Sequence, residues 1–179
     1  MQAHVPDAAA MEAFGRQLAA ELRAGDLVLL TGPLGAGKTT LTRGIGDGLG
    51  VRGPVQSPTF VLARSHPNLA GGPPLVHVDA YRLGSAALLD DLDLDFDHAV
   101  VVVEWGAGLL DDASESWLEV VIERPAGAAV LGAGGGDGHG AGEVTDAADA
   151  EFLGADEPRV LDVRGYGARW AGTRFGVGR

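Results

Sequence analysis

The sequence predicts a single α/β domain with a mostly parallel central sheet and antiparallel outer strands. Two short, continuously apolar runs at residues 27–30 and 99–103 are typical of strands that are buried on both faces. Stretches with helical spacing lie on both sides of the first run. Since 46% of the 179 residues are hydrophobic, the chain can form one compact core, and we expect one domain over residues 1–170.

The elements follow from local patterns, in chain order. Asp7 suits the N-cap of a first helix that ends near Gly25, and residues 38–49 predict a second helix, although three glycines lower its propensity. Continuous apolar segments predict strands at 60–62 and 75–78, besides the two runs above. Residues 117–123 and 159–163 alternate more, which indicates outer or antiparallel strands.

Two segments are expected to lack order. Residues 126–158 are crowded with Gly, Ala and Asp, and bury too little apolar area to offset the entropy of ordering. We interpret them as a disordered insertion within the domain. The tail at residues 171–179 is expected to be frayed.

Composition excludes several classes of protein. The formal net charge of −12 argues against direct, tight binding of nucleic acid. The absence of cysteine excludes disulfides, thiolate metal sites and a cysteine nucleophile. The N-terminus lacks the pattern of a signal peptide, and no apolar run approaches the roughly 18 residues of a membrane span. We therefore expect a cytoplasmic protein that does not contact a membrane.

Residues 32–39 match the motif G-x-x-x-x-G-K-[ST] at every fixed position. In this phosphate-binding loop, or P-loop, backbone N–H groups point at the phosphates, the lysine reaches the β- and γ-phosphates, and the final hydroxyl serves Mg²⁺. Lys38 is the only lysine in the chain, beside twelve arginines. The sequence thus predicts a P-loop NTPase-like three-layer α/β fold that binds ATP and Mg²⁺. The expected nucleotide-binding residues are Leu34, Gly35, Ala36, Gly37, Lys38, Thr39 and Thr40.

Magnesium at such a loop also needs a carboxylate from a neighbouring strand. Asp79 and Glu104 each end an apolar run, and in a doubly wound sheet both strand ends lie beside the loop. The residues alone leave open which acid serves the metal. Thr59 is either a switch residue that senses the γ-phosphate or an ordinary turn threonine. The acidic run at residues 90–97 is interpreted as a solvated or docking face, and His77 as a packed or hydrogen-bonded strand residue.

Together these motifs resemble the bacterial TsaE (YjeE) family of ATPases, which act in making N6-threonylcarbamoyladenosine at position 37 of tRNA. The resemblance covers roughly residues 5–125 and 159–170. It rests on five segments in order: the loop with Thr40 and Arg43-Gly44, Ser57-Pro58-Thr59-Phe60, His77-Val78-Asp79-Ala80-Tyr81-Arg82-Leu83, Val103-Glu104-Trp105, and the strand around Arg159. Pro33 departs from the family, which usually has Asp there, and puts any role of that acid in doubt.

The resemblance implies roles for single residues. Thr39 and Glu104 look like the Mg²⁺ ligands, and Asp79 like a second essential acid near the γ-phosphate. Thr59 resembles the switch threonine, and Trp105 the tryptophan beside the metal ligand. The implied catalytic set is Lys38, Thr59, Asp79 and Glu104, while Ala8 and Arg159 resemble the segments that flank the adenine.

The implied function is an ATPase subunit that is weak alone, works with the TsaD and TsaB proteins, and meets tRNA only through that complex. Few positive charges converge on the γ-phosphate, which also predicts slow intrinsic hydrolysis. Two alternatives remain open: a small-molecule kinase, and a nucleotide-dependent scaffold without significant turnover. A kinase lid would have only Arg124 available between residues 104 and 158. A GTPase is nearly excluded, because the chain has one asparagine and one lysine for an Asn-Lys-x-Asp signature.

Overall fold

A computed structural model describes residues 1–58, 61–82, 97–108, 114–124 and 157–177. Within these ranges it contains seven strands, two α-helices and one 3₁₀ turn. In chain order they are β1 (Gln2–Val5), α1 (Ala8–Ala19), β2 (Leu27–Thr31), α2 (Lys38–Leu49), β3 (Ala63–His66), β4 (Leu75–Asp79), the 3₁₀ turn (Ala80–Arg82), β5 (Val100–Glu104), β6 (Trp117–Glu123) and β7 (Arg159–Tyr166).

The strands form one sheet in the order β1-β7-β6-β2-β5-β4-β3. The four central strands, β6, β2, β5 and β4, run parallel to one another. The outer pairs β1–β7, β6–β7 and β3–β4 are antiparallel. This arrangement confirms the predicted mixed α/β fold with a parallel centre. All residues of β4 and β5 are buried, as expected for strands covered on both faces.

Helices α1 and α2 pack closely against each other over one face of the sheet. Asp7 caps α1 as predicted, because its Oδ1 accepts a hydrogen bond of 2.8 Å from the Ala10 amide. At the crossing of the helices, a Cβ on Gly15 would lie 2.5 Å from the Leu41 carbonyl oxygen. The glycines that weaken the helices therefore allow their backbones to approach. The opposite face of the sheet carries a second apolar cluster, and no helix is described there.

The prediction of a strand at residues 60–62 is wrong for the two of these residues that the structure describes, Val61 and Leu62. Val61 and Leu62 form a turn in which both amides donate to the Pro58 carbonyl, at 2.9 and 2.8 Å. Leu62 has a φ of 65°, which an extended strand does not allow. The strand begins one residue later, as β3, and Phe60 lies outside the described residues. Strand β1 was not predicted, since its pairing with β7 rather than an apolar pattern defines it.

The prediction of a frayed tail does not hold for residues 171–177. This segment turns back onto β7, where Gly165 donates to the Phe175 carbonyl and Val177 donates to the Gly165 carbonyl, at 2.7 and 3.1 Å. Trp170 and Phe175 are both buried and meet edge to face. Burial of these two rings holds the segment in place.

The predicted disordered insertion at 126–158 lies outside the described residues except for its last two. The extent of the domain over residues 1–170 stays a prediction. Among the described helices none is long and apolar enough to cross a membrane, and the cytoplasmic location also stays a prediction.

Candidate functional site

The loop of residues 32–39 joins the end of the central strand β2 to the start of α2. Gly35 and Gly37 have φ angles of 69° and 101°, which residues with a Cβ rarely adopt. Gly37 is also the N-cap of α2, so the loop ends where the helix presents its unpaired amides. The chain therefore has, at the middle of the sheet, the backbone geometry that suits a bound anion.

Lys38 is buried, and its ammonium group is directed into the loop. Its Nζ donates to the carbonyl oxygens of Gly32 and Pro33, at 3.0 and 3.1 Å. The same atom lies 3.8 Å from the ring centroid of Trp105. The ammonium group thus lies inside the loop, where a phosphate oxygen bound by the loop would attract it.

Thr39, Glu104 and His77 form a buried hydrogen-bonded chain beneath the loop. The Thr39 hydroxyl donates to Glu104 Oε1 at 2.8 Å. Nε2 of His77 lies 2.8 Å from the same oxygen. The three side chains come from α2, β5 and β4, so the contact depends on the parallel pairing of β4 with β5.

Asp79 ends β4 and is paired in register with Glu104 at the end of β5. Both carboxylates are buried, and Asp79 Oδ1 accepts a hydrogen bond of 3.0 Å from the Tyr81 amide. The expectation that both acids would meet at one edge of the sheet is therefore confirmed. Of the two, Glu104 is the acid in contact with Thr39.

The donor set at this edge fits magnesium. Mg²⁺ prefers oxygen ligands and usually keeps water or phosphate oxygens among them. The Thr39 hydroxyl and the Glu104 carboxylate supply such oxygens, buried and 2.8 Å apart. Because Oε1 of Glu104 is already in contact with two side chains, Oε2 is the oxygen left to face a cation or its water. Among the described residues, no group of three or more His, Cys, Asp or Glu side chains could hold a metal ion. A magnesium ion here would therefore depend on water and phosphate oxygens for its other ligands.

Trp105 follows Glu104 directly and has a φ of 65°. For a bulky residue this angle is strained, and it persists only where the surroundings enforce it. The Trp105 amide donates to the Leu30 carbonyl at 3.0 Å, and its ring lies 5.4 Å from that of Tyr81. The turn thus places the Trp105 ring beside Lys38, and Trp105 also contacts the exposed ring of Tyr81.

On the other side of the loop, a chain of charged side chains leads to Arg159. Arg124, directly after β6, donates to the Gly35 carbonyl at 2.9 Å. Glu157 lies 4.0 Å from Arg124 and 3.3 Å from Arg159. Burial, and then the charge of Arg124, lower the pKa of the Arg159 guanidinium from its ordinary value, while Glu157 opposes that shift.

Comparison with known proteins decides the family. The model of the family described as "Threonylcarbamoyl adenosine biosynthesis protein TsaE" matches residues 5–129. The chain belongs to the TsaE family.

Its relatives and a solved structure agree with this. A TsaE protein of Streptomyces coelicolor is 51% identical over 90% of this chain and 94% of its own length. The TsaE protein of Bacillus subtilis is 37% identical over 63% of this chain and 71% of its own. The crystal structure of YdiB from Bacillus subtilis matches with a TM-score of 0.59 at 26% identity, and covers 93% of this chain and 84% of that one. This TsaE chain thus has a P-loop NTPase-like fold and a place in tRNA threonylcarbamoyladenosine biosynthesis.

The remaining residues predicted from the sequence differ in position. Within the loop Ala36 is buried and Leu34 is exposed, and Thr40 is half-buried in the first turn of α2. Ala8 is the first residue of α1, and it comes shortly after Val5, the residue of β1 that pairs with Arg159. Thr59 and the acidic run at 90–97 lie outside the described residues, apart from Asp97.

Sequence reasoning missed two contacts of the TsaE site. It treated Arg124 only as a candidate lid residue, whereas in the structure Arg124 donates a hydrogen bond to the Gly35 carbonyl of the loop. It interpreted His77 as a packed or hydrogen-bonded residue, which is confirmed, but did not identify Glu104 as its partner. A signal for the second contact was available. His77 and Asp79 are two residues apart on β4 and therefore share a face of the sheet, and Glu104 was expected beside Asp79 at the same edge.

Proposed function

We propose that this TsaE chain is the Mg²⁺-dependent, ATP-binding and ATP-hydrolysing subunit of the complex that forms N6-threonylcarbamoyladenosine at position 37 of tRNA. The observation that carries the proposal is the buried contact between the Thr39 hydroxyl and Glu104, next to a loop that holds Lys38. Hydroxyl, carboxylate and ammonium are the three groups with which P-loop proteins hold a triphosphate and its metal.

Each group has a separate task in the proposed mechanism. The amides of residues 34–40 bind the phosphates, and Lys38 exchanges its loop carbonyls for β- and γ-phosphate oxygens. Thr39 and Glu104 hold Mg²⁺, which neutralises phosphate charge when bound. Asp79, whose carboxylate is buried at the same edge, is the candidate to accept a hydrogen bond from the attacking water. Thr59 is proposed to respond to the γ-phosphate, and Trp105 to flank Lys38 and the nucleotide.

Adenine is proposed to lie on the side of the loop where Ala8 and Arg159 are found. The charged chain from Gly35 through Arg124 and Glu157 to Arg159 supports this placement, because it joins that side directly to the phosphate loop. A nucleobase there would pack against the half-buried start of α1.

Hydrolysis by the isolated chain is proposed to be slow. Transition-state charge on the γ-phosphate needs several converging cations, and the chain has one lysine, while Arg124 is bonded to a loop carbonyl. TsaD and TsaB are the proposed partners that complete the site. With a net charge of −12, the chain is proposed to meet tRNA only through them.

Measuring ATP hydrolysis with and without TsaD and TsaB tests the proposal. We expect a rate well below 1 per second alone, compared with roughly 1–100 per second for kinases, and a marked increase with both partners. Lys38→Ala should abolish the increase but still bind the partners, whereas the exposed Arg174→Ala should behave as wild type.

Other outcomes would support the alternatives. Phosphate transfer from ATP to a small acceptor without partners would favour a kinase. Full tRNA modification by the Lys38→Ala variant would favour a scaffold without turnover. Turnover of tens per second by the isolated chain would contradict the mechanism.

A further inference from the structure

His77 lies in the middle of β4, is fully buried, and has no part in the mechanism above. Along the strand, Leu75 and Asp79 share its face of the sheet, and Val76 and Val78 face the other way. Burial of an imidazole is unfavourable unless its nitrogens are hydrogen-bonded. Nε2 is bonded to Glu104, whereas Nδ1 has no hydrogen-bond partner in the described part of the chain. His77 is thus a costly choice for filling space alone.

The contact with Glu104 predicts one tautomer for His77. A carboxylate only accepts hydrogen bonds, so the proton of this contact belongs to Nε2 of His77. Glu104 Oε1 then accepts from two directions, from the Thr39 hydroxyl and from His77, both at 2.8 Å. Partners from two separate elements, α2 and β4, thus hold this one oxygen in place.

We propose that His77 is a positioning residue that fixes the Glu104 carboxylate for Mg²⁺, so that metal affinity rather than nucleotide affinity depends on it. The inference rests on the proposed function. Thr39 alone would leave the carboxylate free to rotate about that single bond. Partners that orient a metal ligand through a hydrogen bond typically change metal affinity by 10–100-fold when they are lost.

Three variants separate positioning from packing. His77→Leu fills the space but removes the donor, and His77→Gln keeps an N–H donor at a similar reach. Val101→Ala is the matched control, since it opens a buried site on β5 that belongs to the second apolar cluster, away from Glu104. Calorimetric titration of ATP into each folded protein, in EDTA and across a series of Mg²⁺ concentrations, separates nucleotide from metal affinity.

We expect His77→Leu to raise, by at least about 10-fold, the Mg²⁺ concentration at which ATP affinity has gained half of its Mg²⁺-dependent increase. ATP affinity in EDTA should stay unchanged within about 2-fold. His77→Gln should restore most of the loss, and Val101→Ala should match wild type. An unchanged Mg²⁺ dependence in His77→Leu, or equal shifts in the Leu and Gln variants, would overturn the inference while leaving ATP binding intact. Absence of ATP binding by the wild type would overturn the proposed function, and this inference with it.

A second measurement does not need nucleotide. Long-range ¹H–¹⁵N spectra of the wild-type imidazoles, assigned by the signal missing in His77→Gln, report which nitrogen carries the proton. We expect the Nε2–H tautomer for His77. A proton on Nδ1 would contradict the proposed bond to Glu104, even if a buried Leu variant failed to fold.

Discussion

The bond between Thr39 and Glu104 allows a quantitative test in the protein without nucleotide. Thr39→Val keeps the shape of the side chain but removes the hydroxyl that donates to buried Glu104 Oε1 at 2.8 Å. A hydrogen bond to a charged group contributes about 1.5–3 kcal/mol, and its loss leaves the carboxylate with one donor fewer. For a domain of this size, each kcal/mol corresponds to about 2–4 °C in Tm, so we expect Tm to fall by about 3–12 °C.

Thr39→Ser is the matched control, since it retains the hydroxyl and loses only a methyl group. Urea and thermal unfolding, followed by circular dichroism, measure both variants under the same buffer conditions. Serine should recover most of the stability that valine loses. If the free energy of unfolding of Thr39→Val lies within about 0.5 kcal/mol of the wild-type value, the hydroxyl does not donate to the Glu104 carboxylate. The argument that Thr39 and Glu104 together form the Mg²⁺ site then fails.

Three further predictions concern other parts of the fold. Gly15→Ala should lower the free energy of unfolding by roughly 1–2 kcal/mol despite a better helix propensity, because the new Cβ would lie 2.5 Å from the Leu41 carbonyl. Arg169→Met should cost about 2–3 kcal/mol, since Arg169 forms two hydrogen bonds of 3.0 and 3.1 Å to Asp26, a buried carboxylate. Burial and nearby positive charge lower the pKa of His66 from 6.5, so its contribution to stability is present above pH 6.5 and is lost as the pH falls through the lower folded-state pKa.

Urea titrations check all three. A Gly15→Ala protein that is more stable than wild type would mean that the helices separate without cost. Arg174→Met serves as control for Arg169, because its ion pair with Glu21 is half-exposed and should contribute at most about 0.5 kcal/mol. Comparison of wild type with His66→Gln across pH isolates the histidine, and a difference in stability that stays constant below pH 6.5 would refute that assignment.

The parallel centre of the sheet was predictable because its strands carry their own signal. Residues 27–30 and 99–103 are continuously apolar, and strands covered on both faces have that pattern whatever their neighbours are. Strand β1 has no such signal, since only Val5 is buried, and its place depends on pairing with β7, more than a hundred residues away. Short edge strands of this kind need the tertiary structure to be identified.

The same distinction applies to the site. Lys38 and Thr39 were predictable because the loop motif is local, and a strand and a helix flank it. The residues alone left Glu104 and Asp79 open, and only the resemblance to the TsaE family indicated Glu104. Its contact with Thr39 depends on the position of α2 above the sheet, which sequence spacing does not contain. The contacts of Arg124 and His77 likewise join elements far apart in the chain.

The pairing of β6 with β7 bears on how TsaE proteins tolerate changes in length. Glu123 and Val160 are partners at the end of the ladder where the chain leaves β6 and later enters β7, so the two ends of the intervening segment are held together. For a segment without structure of its own, halving or doubling the length between fixed ends changes the closure entropy by only about 0.6 kcal/mol. The segment predicted from the sequence to be disordered, residues 126–158, is therefore where we expect insertions and deletions to cost the fold least. A reporter domain fused there should be carried without disturbing the strands on either side.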